Sequence, residues 1–137
     1  LQLIPELMED TAHVLAQASD LQVALCHAGS PHDRSVKGLE AWANELKLLS
    51  ALPNVSCKLS GLGMFDHQWT QQSIAPIVQT CLTQFGQDRV MFGSNFPVDS
   101  LYSNYTTLFA AMETLVPNDW HAAVFGDNAA RFYELKA

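Results

Sequence analysis

"RVMFGSNFPVD", residues 89–99, is the stretch on which the fold turns. Val90, Met91 and Phe92 form a short apolar run, as expected of a buried strand. Gly93 lets the backbone turn closely, and Pro97 forbids further ladder bonding. Ser94, Asn95 and Asp99 then stand at the mouth of that strand. The C-terminal ends of parallel strands are where α/β enzymes keep their chemistry.

Two earlier stretches share this design. "LQVALCHAG" (21–29) is an apolar run that closes on His27 and a glycine. "PNVSCKLSG" (53–61) alternates Val55, Cys57 and Leu59 with Ser56, Lys58 and Ser60. Helical patterns separate and flank these strands. Residues 5–18 place Leu7, Met8, Leu15 and Ala18 on one stripe, with Pro5 suited to a first turn. Residues 38–51 repeat the pattern through Leu39, Trp42, Leu46 and Leu49. Ile74, Ile77, Val78, Cys81, Leu82 and Phe85 mark the cleanest helix, which Gly86 is placed to end. A fourth helix runs through Tyr105, Leu108, Phe109, Met112 and Leu115. A last one begins after Asp127 or Asn128 and carries Phe132, Tyr133 and Leu135. The opening "LQL" reads as the tail of one more strand. Strand alternating with helix predicts right-handed βαβ crossovers and a parallel sheet, an α/β fold in a single domain over residues 1–137.

Composition narrows the function. Seven basic against fourteen acidic side chains give a net charge of −7, which argues against binding a phosphate backbone. No run is long and apolar enough to span a membrane. Cys26, Cys57 and Cys81 show neither metal-ligand nor redox spacing and read as small buried residues of a reducing, cytoplasmic compartment. No glycine-rich phosphate loop and no nucleophile elbow occurs. What remains is the edge where the three strands end, carrying His27, Lys58 with Ser60, and Ser94 with Asn95. Lys58 is a charge within an apolar strand, so it needs a cleft, a carboxylate or an anionic substrate. Asp66 and His67 stand in the loop that follows.

"HAGSP", "LPNVSCKLSGL", "FGQDRVMFGSNFPVD" and "FGDNAARFYEL" together resemble the amidohydrolase-related TIM-barrel family of metal-dependent hydrolases, which includes sugar lactonases. The resemblance covers nearly the whole chain and corresponds to the C-terminal half of such a barrel. It implies that "LQL" is the tail of the fifth strand, that His27 ends the sixth, that Lys58 lies on the seventh and that Asn95 closes the eighth. A full barrel takes about 250 residues, so a half-barrel is expected, completed by a missing N-terminal half or by self-association.

The family's site uses a His-x-His pair on the first strand, a His on a later strand and an Asp on the eighth. The resemblance makes His27 the later metal ligand and Asn95 the catalytic position, with Lys58 and His67 contacting substrate. Two departures stand out. The chain contains no His-x-His, and Asn95 is neutral where a carboxylate is expected. A divalent zinc or manganese site would therefore be incomplete on this chain. The implied function is metal-dependent hydrolysis of a lactone or related cyclic ester, a small-molecule substrate, by the complete barrel. The alternatives are non-oxidative decarboxylation by the same barrel, or a catalytically inactive half-barrel subunit.

Overall fold

The computed structural model describes residues 1–135. Three parallel strands, β1 (Val23–Leu25), β2 (Val55–Leu59) and β3 (Val90–Phe92), lie side by side in chain order. Their register pairs Leu25 with Cys57 and Lys58 with Met91. Helices α1 (Met8–Leu15), α2 (Val36–Ser50), α3 (Gln71–Phe85), α4 (Tyr105–Leu115) and the short α5 (Asn128–Phe132) complete the chain. The fold is α/β, half of a (β/α)8 barrel.

Strand alternation divides the sheet into two faces. Val55, Cys57 and Leu59 are buried in the core with Trp42, Leu46 and Leu49 of α2 and Ile74, Ile77, Val78 and Cys81 of α3. Ser56 and Lys58 are half-buried on the other, concave face, which would line a barrel's interior. Burial and the nearby Cys57 thiol push the Cys81 thiol well up, so Cys81 is no ready nucleophile; Cys57 is buried, Cys26 is only half-buried, and all three thiols are free.

Local chemistry fixes the helix starts. Ser35 Oγ accepts from the Gly38 N–H at 3.0 Å at the head of α2. Thr70 and Ser73 exchange bonds as a capping box on α3, and Asn104 accepts from Thr107 N–H on α4. The floor of the sheet, at the strands' N-terminal ends, is locked by side chains. Arg89 donates to Ser50, Leu52 and Val55 carbonyls, and Asn128 Nδ2 donates to Gln87 O at 2.7 Å and Val90 O at 2.8 Å.

Several boundaries differ from the sequence reading. The first helix opens as a tight 3-10 turn at Pro5–Leu7 and ends at Leu15, and Leu7 is exposed rather than on the buried stripe. The first strand is only Val23–Leu25, because the chain enters left-handed backbone at His27 (φ 56°) and Ala28 (φ 52°). His27 therefore stands two residues beyond its strand and does not close it. The last helix starts at Asn128 as expected, but a wide helical turn at Ala123–Asp127 leads into it, it ends at Phe132, and Tyr133 and Leu135 are exposed. Leu1 does not count as a strand, yet its ammonium donates to Ala24 O at 2.8 Å and its carbonyl accepts from Cys26 N–H at 2.7 Å.

Candidate active site

A polar cluster gathers where the three strands end, from loops whose backbones turn sharply. His27 sits in the left-handed turn after β1. Its backbone N–H donates to Ser60 Oγ at 3.3 Å, and its Nδ1 lies 2.9 Å from the same oxygen. When Nδ1 carries the proton, Oγ accepts twice and Nε2 presents its lone pair. Gly61 makes this possible: it adopts φ +61°, and a Cβ there would lie 2.5 Å from His27 Nδ1.

Lys58 projects from the concave face of β2. A Cβ at Gly93 would meet Ser60 Cβ at 3.2 Å and Lys58 Cε at 3.5 Å, so the bare glycine at β3's exit lets both side chains pack close against it. Burial first, and then the Lys58 charge, hold the His27 pKa below its ordinary value, against smaller opposing contributions from Ser60 and Asp99. His27 is thus a neutral imidazole at pH 7, lying between a cation and a carboxylate.

Asn95 also has left-handed backbone, φ 56°. Its Nδ2 donates to Asp99 Oδ1 at 3.0 Å and faces Met64 Sδ at 3.4 Å. Asp99 is only 2% exposed, a buried carboxylate at the rim of the sheet. The sequence places Ser60 and Asp99 at these strand ends but gives neither a role in the site. Both prove to be the groups that His27 and Asn95 touch or sense. The available signal was Asn and Asp four apart around Pro97, a spacing that one tight turn closes.

His67 is elsewhere. Its ring stacks on Tyr102 at 4.3 Å between centroids, exposed, with Nε2 3.2 Å from Met64 O. The structure brings His27, Lys58 and Ser60 together with the Asn95–Asp99 pair, and leaves His67 on the outer loop.

The donor set does not make a metal centre on this chain. Among the described residues no three His, Cys, Asp or Glu side chains come together to hold an ion. The one carboxylate near His27 is already engaged by Asn95. A hollow of about 660 Å³ lies at the opposite end of the sheet, lined by Gln22, Pro53, Arg89, Asn128 and Arg131. It belongs to the floor, where Arg89 and Asn128 are committed to backbone carbonyls.

Comparison with known proteins agrees with this fold. The amidohydrolase family model matches residues 1–135. A Sinorhizobium fredii protein, y4mH, is 40% identical over 98% of this chain and 46% of its own length. An L-fucono-1,5-lactonase of Burkholderia multivorans is 34% identical over 82% of this chain and 43% of its own. The crystal structure of an amidohydrolase from Burkholderia multivorans with bound zinc superposes with a TM-score of 0.92 at 29% identity, covering 99% of this chain and 52% of that one. The chain spans about half the length of the relatives it matches.

Proposed function

The chain belongs to the amidohydrolase family, and on that premise we propose that it forms, as one domain, the C-terminal half of a barrel hydrolase that opens a lactone ring with water. The observation that carries this reading is its 34% identity, over 82% of its length, to an L-fucono-1,5-lactonase. That likeness favours a sugar-derived cyclic ester over the decarboxylation that the sequence reading left as an alternative. The polar cluster at the strand ends fits the chemistry. In the closed barrel His27, neutral and oriented by Ser60, faces the substrate and takes or returns a proton. Asn95 positions a substrate oxygen or water through its amide, while Asp99 fixes that amide's orientation. His67 and Tyr102 form an outer wall for the sugar.

We assign the rest of the site, including any groups that would complete a metal centre, to the N-terminal half of the barrel: a solved relative carries bound zinc, and among the described residues no cluster here could hold an ion. The test is reconstitution. Co-expressing this chain with the N-terminal half of a lactonase relative should yield L-fucono-1,5-lactone hydrolysis, followed by acid release in a pH-stat. The chain alone should show background rates and no tight zinc binding by calorimetry, since catalytic zinc takes three protein ligands. An assembled barrel that opens no lactone would overturn the reading.

A further inference from the structure

Lys58 is a half-buried cation without a carboxylate within ion-pair distance among the described residues, where the one ion pair joins His32 to Glu6. The Tyr133 ring lies 6.0 Å from Nζ, at the limit of cation–π attraction. Taking an ammonium partly out of water without a counter-charge is costly, so such a position is retained where an anion arrives. The cation does not stand alone: Lys58 Cε and Ser60 both pack close to the bare backbone of Gly93, which sets the ammonium's stem beside the Ser60–His27 pair. The neighbouring imidazole, kept neutral, adds no second positive charge, and the nearby carboxylate of Asp99 is occupied by Asn95.

We propose that Lys58 binds the negative charge created by ring opening, first the carbonyl oxygen as it becomes an oxyanion and then the carboxylate of the hydroxy-acid product. The inference rests on the lactone reading above and assigns the group that stabilises its charge. In that reaction a water oxygen forms a bond to the carbonyl carbon and the ring C–O bond breaks. One water proton goes to the ring oxygen, which leaves as a hydroxyl. The other is released as the new acid ionises. Lys58 keeps its protons throughout and acts by charge alone.

Binding can be read on the chain itself, without turnover. The probe is L-fuconate, with L-fucose as the uncharged control, titrated while following the Lys58 Cε–Hε NMR signal, identified by its loss in Lys58→Met. L-fuconate should move that signal and L-fucose should not. Its affinity should fall about fivefold or more in Lys58→Met, a loss of about 1 kcal/mol, and stay near wild type in Lys58→Arg, which keeps the charge. A Lys58 signal indifferent to L-fuconate, or equal affinity in Lys58→Met, overturns the proposal; the first reading needs no variant to fold. Carboxylate binding through Lys58 with no lactone opened by the assembled barrel would sink the functional reading and the oxyanion role with it, leaving only the carboxylate site. Turnover by the assembled barrel with Lys58 indifferent would do the reverse.

Discussion

His27 is harder to protonate in the folded chain than in the unfolded one, because burial and Lys58 both disfavour its cation. The sign of the linkage follows. Its contribution to stability is complete above the ordinary histidine value of 6.5 and is lost as pH falls below it. Urea midpoints should therefore decline between about pH 7 and about pH 5, and His27→Gln should decline less over that window; a steeper decline in the variant would contradict the environment described. Gly61→Ala tests the same residue from outside, since the new methyl must push against the imidazole and adopt a left-handed backbone. It should cost about 1–2 kcal/mol and shift the His27 ring signals, whereas Gly86→Ala, with open space around it, should leave those signals in place. His27, Lys58 and Asn95 were legible because strand ends are legible. The Asn95–Asp99 bond was not, because it depends on left-handed backbone at Asn95, a conformation that side-chain type alone does not announce.

The helices were easier to read than the strands at the level of elements. Leu46, Leu49, Ile74, Ile77 and Cys81 repeat at helical spacing and are fully buried, so periodicity located α2 and α3. The third strand matches its apolar run, but the first came out shorter than the apolar stretch around it, since hydrophobicity marks burial and the backbone bonds stop where the chain turns. The wide turn at Ala123–Asp127 has no sequence period of its own, and this is why the sequence marked the final helix but not the turn that leads into it. Thr70→Ala removes the capping box of α3 and should cost about 1 kcal/mol in a denaturant melt, most of it restored by Thr70→Asp. Asn128→Ala should cost more, about 2 kcal/mol, because it strips a buried donor from two backbone carbonyls at the start of β3. If the two losses were equal, the floor would matter no more to stability than an exposed cap.

A three-stranded parallel sheet with helices on one face leaves its concave side open, with Ser56 and Lys58 half-buried there and Tyr133 exposed beside them. Parallel sheets are ordinarily covered on both faces. Sedimentation at tens of micromolar should show association of the isolated chain, and co-expression with an N-terminal half-barrel should replace it with a one-to-one complex; a stable monomer would show that the open face is tolerated. The half-barrel itself was readable from three strand ends at βα spacing. What closes it was not, since residues that pack against absent strands carry no periodic mark of their partner. The uneven burial of the three free thiols turns this open side into something that can be timed. Cys57 and Cys81 are sealed between sheet and helix, whereas Cys26 lines a shallow hollow with Leu1, Ala24 and Tyr133. A maleimide reagent should alkylate Cys26 promptly and the other two only at the rate of global unfolding. Docking a complementary half over that hollow should shield Cys26, so the alkylation rate of one native sulfur becomes a clock for barrel closure, with no label introduced.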